Sequence, residues 1–165
     1  MKYLASPGQE NRSYVSLDHS VSPHHMPSPT RITVETTVNA PLERVWKCWT
    51  TPECVMQWNA ASDDWHTPSG TNDLREGGTF AYRMEAKDKS VGFDFCGTYT
   101  KVAEHKQIDF AMSDGRTVST TFSEHDGLTH ISETFDAESE NPIEMQRQGW
   151  QSILDNFRKH AESHA

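Results

Sequence analysis

A segment near the end of the chain reads N-P-I-E-M-Q-R-Q-G-W-Q-S-I-L-D-N-F-R-K-H-A-E over residues 141–162. Pro142 suits the first turn of a helix, where its missing N–H has no intrahelical partner. Asn141 before it is a candidate N-cap, and Glu144 follows that cap by three positions. The segment therefore predicts an amphipathic helix of roughly 30 Å. Its apolar stripe consists of Met145, Gly149, Trp150, Ile153, Leu154, Phe157 and Ala161.

The residues before this helix alternate between apolar and polar in short runs, which is typical of half-buried strands. Asp114-Gly115 and Asp126-Gly127 are hairpin turn sequences, and Asp88-Lys89 is another short polar connection. Glycines are candidate positions for bends or bulges that let the sheet curl. These glycines are Gly77-Gly78, Gly92 and Gly97. The clearest predicted strands cover residues 79–86, 91–102, 107–112, 117–123 and 128–136.

A first strand and two short helices precede these strands. Residues 31–39 alternate with Ile32 and Val34 on one face, which predicts a strand. Pro41 opens a helix, and Thr51-Pro52 opens a second one. The order is a strand, two short helices, about six strands and a long helix. It predicts an α+β fold, in which a curved antiparallel sheet of about seven strands wraps around the C-terminal helix.

Residues 1–30 differ in composition from the rest of the chain. They contain neither Trp nor Phe but hold four of the eight prolines. We interpret residues 1–30 as a disordered N-terminal arm and residues 31–165 as one domain. The arm has no apolar core of the length that a secretory signal requires.

The overall composition argues against two classes of partner. The formal net charge is −9 at pH 7, so the chain lacks the basic excess that neutralises nucleic-acid phosphates. The mean hydropathy is −0.77, and no apolar run approaches the ~18 residues of a membrane span. The sequence therefore predicts no nucleic-acid partner and no membrane span.

The sequence contains neither a cysteine pattern nor a catalytic motif that indicates a cofactor. Cys48, Cys54 and Cys96 are odd in number and form no C-x-x-C pair, which is typical of neither a disulfide framework nor a zinc site. We therefore expect no bound metal and a reducing, cytoplasmic location. The sequence also lacks H-E-x-x-H, G-x-S-x-G, Walker and Rossmann patterns, so we expect no cofactor and assign no catalytic residue.

Several short motifs occur together in one order. They are N-A-P-L-E-R-V-W-K-C-W-T at 39–50, T-P-E at 51–53, Q-W at 57–58, D-L-R-E-G-G-T-F at 73–80, G-T-Y at 97–99 and Q-G-W-x-x-I-L-D-x-F at 148–157. With these motifs, the chain resembles the START-like, SRPBCC superfamily over residues 31–165. More narrowly, it resembles bacterial homologues of the C-terminal domain of the activator of the heat-shock protein 90 ATPase. The resemblance implies the helix-grip fold.

The resemblance also implies an apolar cavity between the curved sheet and the last helix. Such a cavity would bind a flat or lipophilic small molecule. The alternative is a core filled by the same side chains, with Gly149 making room for a bulky neighbour. The candidate lining residues are Phe80, Tyr82, Phe93, Phe95, Tyr99, Ile108, Phe110, Met112, Phe122, Glu133, Phe135, Met145, Gly149, Trp150 and Ile153.

Glu133 is the polar exception in this set. Alternation places it on the same face as Ile131 and Phe135, so we expect it to point inward. A carboxyl group there would orient a ligand or act as a general acid or base with a raised pKa. We expect a non-enzymatic binder with a carrier, sequestration or stress-related role. The alternatives are a chaperone-accessory module with a protein partner, and a cyclase- or hydrolase-like enzyme.

Overall fold

The structure is a computed structural model that describes residues 29–163, so the predicted arm lies almost wholly outside the described part. Within that part, seven strands and three helices follow in the predicted order, which confirms the α+β fold. They are β1 Arg31–Val38, α1 Leu42–Thr50, α2 Pro52–Trp58, β2 Trp65–Asn72, β3 Thr79–Ala86, β4 Gly92–Ala103, β5 Gln107–Ala111, β6 Thr117–His125, β7 Leu128–Asp136 and α3 Ile143–Ser163.

The strands form one antiparallel sheet in the order β1-β7-β6-β5-β4-β3-β2. The two edge strands, β1 and β2, are those that flank α1 and α2 in the chain. The short helices therefore carry the chain from one edge of the sheet to the other. The remaining strands follow one another as hairpins, which need only short connections.

The turns have the backbone geometry that their sequences predict. Asp126 and Gly127 both have positive φ, 51° and 77°, as a tight two-residue hairpin connection requires. Gly115 has a φ of 90° in the turn between β5 and β6. These glycines adopt a conformation that most side chains disfavour.

The register shifts of the sheet do not fall at the glycines that were candidates for bends or bulges. The register shifts between His66 and Ser69 in β2 and between Tyr99 and Lys101 in β4. The pairing of β3 with β4 runs past Gly92 and Gly97 without a shift. Gly97 is needed for space instead, because a Cβ there would lie 2.9 Å from the ring of Phe80 and 3.0 Å from that of Phe110.

Helix α3 packs mainly against β1, with further contacts to α1 and α2. Its Phe157 is fully buried between these elements, in the same core cluster as Ile32 of β1. The carbonyl of Pro142 accepts the first helical hydrogen bonds, whereas the Asn141 amide donates to Glu138 rather than capping the helix. No helix within residues 29–163 combines the length and hydrophobicity needed to cross a membrane.

Candidate functional site

A cavity of about 610 Å³ lies between α3 and the sheet. It exists because α3 lies toward the β1 side of the sheet and leaves the inner face of β3, β4 and β5 partly uncovered. Trp49 and Thr50 of α1 and Val55 and Trp58 of α2 also line the cavity. Ligand sites commonly have volumes of about 300–1,000 Å³, so this space is large enough for a small organic molecule.

The sheet wall of the cavity is built largely of aromatic rings around Phe80. Its ring centroid lies 5.3 Å from that of Tyr99, 5.6 Å from Phe95 and 4.8 Å from Phe110. Opposite them, Trp150 of α3 approaches Phe95 edge-on at 6.2 Å. Such rings prefer offset or edge-to-face contacts, so the wall presents both ring faces and ring edges to the cavity.

Eleven of the fifteen predicted side chains lie on the cavity wall. They come from β3, β4, β5, β7 and α3, and from Met112 just after β5. These residues are Phe80, Tyr82, Phe93, Phe95, Tyr99, Ile108, Phe110, Met112, Glu133, Trp150 and Ile153.

The other four predicted residues do not line the cavity. Phe122 packs between the rings of Trp46 and Trp49, at 5.2 and 5.6 Å. Phe135 lies behind Trp150, stacked against it at 4.0 Å with an angle of 12° between the rings. These two rings support the wall from behind instead of forming its surface.

Met145 and Gly149 fall outside the wall because the inward face of α3 is rotated from the predicted stripe. Gln146 is buried instead of Met145 and Gly149, and it lies on the same face of the helix as Trp150, Ile153 and Leu154. A Cβ on Gly149 would meet no atom within 4 Å, so no bulky neighbour occupies the space that this glycine leaves.

Gln146 was missed because its amide is polar, although its i, i+4 spacing to Trp150 was a usable signal. Its side chain accepts from the Glu138 N–H and donates to the carbonyls of Glu138 and Asn141. These bonds fix the loop between β7 and α3. Met84 was also missed, although alternation places it on the same face as Tyr82 and it lines the cavity.

The cavity also has a polar part that the sequence did not predict. It lies where the β5–β6 turn and the β7–α3 loop approach β4. Arg116 forms an ion pair with Asp114 there, at 2.6 Å between Nε and Oδ2. Besides the Cys96 thiol, the polar lining residues here are Asp94, Ser113, Asp114, Arg116, Glu138, Asn141 and, in the first turn of α3, Gln146.

Glu133 points inward, as alternation predicts, and is only 8% exposed. Its partner on the neighbouring strand β6 is Thr120, whose hydroxyl donates to Oε2 of Glu133 at 3.1 Å. Burial raises the pKa of the Glu133 carboxyl to about 7, and the Thr120 hydrogen bond offsets part of this. The carboxyl group therefore keeps its proton to a higher pH than a carboxyl group in water.

Two tyrosines add hydroxyl groups to the wall. Tyr99 donates to Asn72 at 2.6 Å, and the Asn72 amide donates to the carbonyl of Thr50 at 2.7 Å. This chain of bonds links β4, β2 and the end of α1. The hydroxyl of Tyr82 makes no hydrogen bond within residues 29–163. Burial raises the pKa of Tyr82 to about 12, so its phenol is protonated at neutral pH.

The chain is similar to known proteins over most of its length. Residues 39–162 match the model of the family described as Activator of Hsp90 ATPase homolog 1-like protein. The AHSA1-like protein from Aeromonas hydrophila is 44% identical, with a TM-score of 0.77, covering 82% of this chain and 94% of that one. Protein Chr148 from Cytophaga hutchinsonii is 46% identical, with a TM-score of 0.72 and coverage of 81% and 93%.

A more distant structure shares the fold. Protein NE0264 from Nitrosomonas europaea is 17% identical, with a TM-score of 0.71, covering 82% of this chain and 96% of that one. No curated protein sequence matches the chain. The family model and the Aeromonas protein agree on one family, and the Nitrosomonas protein extends the same fold to low sequence identity.

Proposed function

The chain belongs to the family of Activator of Hsp90 ATPase homolog 1-like proteins, and we propose that it binds an aromatic or otherwise lipophilic small molecule between the sheet and α3. The observation that carries the proposal is the cavity of about 610 Å³, with aromatic rings on its sheet wall and on α3. Release of water from such walls on ligand binding is favourable in proportion to the apolar area covered.

The polar groups of the wall suggest what the ligand carries besides its apolar body. The Tyr82 hydroxyl has no partner among the described residues, and neither has Oε1 of Glu133. A few placed polar groups in an apolar pocket usually fix the orientation of the ligand. We therefore favour a ligand with at least one hydrogen-bonding group that reaches Glu133 or Tyr82.

Activation of an Hsp90-type ATPase, which the family description names, is the alternative. A protein-binding face of that kind would be favoured by a contiguous apolar patch. The exposed large apolar side chains among residues 29–163 are Val91, Leu128 and Ile143. They lie in the β3–β4 connection, at the start of β7 and at the start of α3, so they occur on separate elements. The cavity is the better supported site.

The proposal includes a reducing cytoplasmic location, in which the three cysteines form no disulfide. Cys48, Cys54 and Cys96 are all free in the structure.

Titration with Nile red, a flat neutral dye whose emission shifts in apolar surroundings, tests the proposal. We expect saturable binding of one dye per chain. Native mass spectrometry of the freshly purified protein should also show any ligand that copurifies. Ile153→Trp introduces a large ring on the cavity wall of α3, and we expect it to weaken dye binding by about tenfold or more, equivalent to about 1.4 kcal/mol.

Gln148→Trp is the matched control, because Gln148 is exposed on the same helix and is not a wall residue. It adds the same side chain outside the cavity and should leave the dye affinity unchanged. Equal binding by both variants would place the dye elsewhere on the protein. Absence of saturable binding by the unaltered chain would contradict the proposal.

A further inference from the structure

A second group of reactive side chains lies where the three helices meet. Cys48 of α1, Cys54 of α2 and His160 of α3 place their ligand atoms, two Sγ and one ring nitrogen, within 4.8 Å of one another. Among the described residues, it is the one group of three or more His, Cys, Asp or Glu residues whose ligand atoms lie this close together. These residues are not on the cavity wall.

We propose that Cys48, Cys54 and His160 bind a zinc ion. Tetrahedral zinc with Zn–S of about 2.3 Å and Zn–N of about 2.0 Å separates its ligand atoms by roughly 3.5–3.8 Å. Ligand atoms within 4.8 Å of one another need to move inward by about 1 Å or less to meet that geometry. Changes of side-chain rotamer supply movements of this size.

The chemistry of the three ligands favours zinc over the harder divalent cations. Thiolate and imidazole ligands select zinc, whereas calcium, magnesium and manganese prefer oxygen. Two thiolates also balance the two positive charges of the ion, so the complex carries no net charge. That balance matters because Cys48 is buried, and Cys54 and His160 are half-buried.

Groups around the Cys48 thiol act in opposite directions on its ionisation. Burial and the neighbouring Cys54 raise the pKa of this thiol to about 11, although Arg44 and Lys47 of α1 act in the opposite direction. Because thiolates and not thiols bind zinc, metal binding must release the thiol protons. The two cations of α1 favour the thiolate that forms when the proton leaves.

Two properties of a zinc ion at this site follow from the number and the position of its ligands. The described residues supply three ligands, which leaves a fourth position for water or an exogenous ligand, as in zinc sites that are not purely structural. The ligands also come from three separate helices. Bound zinc would therefore fasten α1 and α2 to α3 at the end of α3 remote from Trp150.

Cobalt(II) titration of the reduced, metal-free full-length chain tests the proposal. Tetrahedral cobalt bound to thiolate gives a near-ultraviolet charge-transfer band that histidines alone do not give. We expect this band to saturate at one equivalent of cobalt and to vanish when zinc is added. Cys48→Ser and Cys54→Ser should each weaken or remove the band. His160→Gln should lower the cobalt affinity by about tenfold or more, since even second-layer groups cost about 10–100-fold.

Cys96→Ser is the matched control, because Cys96 is exposed and outside the group. It should leave the band unchanged. Cys48→Ala accompanies Cys48→Ser, so that an apolar side chain keeps the buried position filled if the hydroxyl destabilises the fold. The absence of a thiolate band in the folded, reduced, unaltered chain would overturn the proposal. A band that persists in Cys48→Ala and disappears in Cys96→Ser would also overturn it.

Discussion

The carboxyl group of Glu133 is held among apolar groups, and its protonation is therefore linked to folding. Its pKa is about 7 in the folded protein against an ordinary value of 4.5. Between these two values the folded chain keeps a proton that the unfolded chain releases. The free energy of unfolding therefore falls as the pH rises through this range. This contribution is fully present below pH 4.5 and is lost as the pH rises through about 7.

Replacement of Glu133 by Gln should remove this dependence while keeping a similar shape. We expect Glu133→Gln to gain stability relative to the unaltered chain as the pH rises from about 5 to about 8, by on the order of 1.4 kcal/mol for each pH unit that separates the folded from the unfolded pKa. Urea unfolding at both pH values measures the difference. Glu124→Gln is the control, because Glu124 is exposed on β6. A pH-independent difference between Glu133→Gln and the unaltered chain would mean that the carboxyl is solvated.

Gly149 gives a prediction at the scale of the helix. Glycine inside a helix costs about 0.5–1 kcal/mol relative to alanine, because it loses more backbone freedom on folding. A Cβ at Gly149 would meet nothing within 4 Å, so no clash offsets this gain. We expect Gly149→Ala to raise the free energy of unfolding by about 0.5–1 kcal/mol.

Urea unfolding measures this change, and Gln148→Ala at the exposed neighbouring position should change it by only a few tenths of a kcal/mol. A loss of stability in Gly149→Ala would contradict the description of open space beside the helix. Gly149→Ala should leave dye binding unaltered if the glycine has no part in the cavity. Weaker dye binding by a more stable protein would instead place the ligand against this side of α3.

The elements themselves were largely predictable from the sequence. Helix α3 runs from Ile143 to Ser163, against a predicted end near Glu162, because Pro142 and the long apolar stripe define it locally. The hairpin turns at Gly115 and Gly127 were found because positive φ favours glycine. The bulges in β2 and β4 were not found, since a register shift depends on the partner strand as well as on the local sequence.

At the scale of the whole molecule, the cavity was not decided by the sequence. The same inward-facing residues would serve a filled core or a hollow one, because alternation gives the face of a side chain and not the distance to the opposite wall. That distance depends on where α3 lies across the sheet, and α3 lies on β1. The Cys48, Cys54 and His160 group escaped notice for a related reason. Its members are distant in the sequence and meet only when three helices pack together.

The boundary between the predicted arm and the domain remains a prediction, and it can be tested on the whole chain. Thr30 is joined to the domain, because its carbonyl accepts a hydrogen bond from the N–H of Ala137 at 2.8 Å. Ile32, two positions later, is fully buried. A protein that lacks residues 1–28 retains both of these. We therefore expect its thermal unfolding midpoint to change by no more than about 2 °C, with unaltered dye affinity.

A protein that lacks residues 1–33 provides the matched comparison. It loses Ile32 and the first three pairs of the β1–β7 ladder, Arg31–Asp136, Ile32–Phe135 and Thr33–Thr134. We expect it to lose cooperative unfolding, because β1 is also the strand on which α3 packs. Circular dichroism melts of the two shortened proteins distinguish the outcomes. A large drop in the midpoint on removal of residues 1–28 alone would mean that those residues pack on the domain, and the predicted boundary would be wrong.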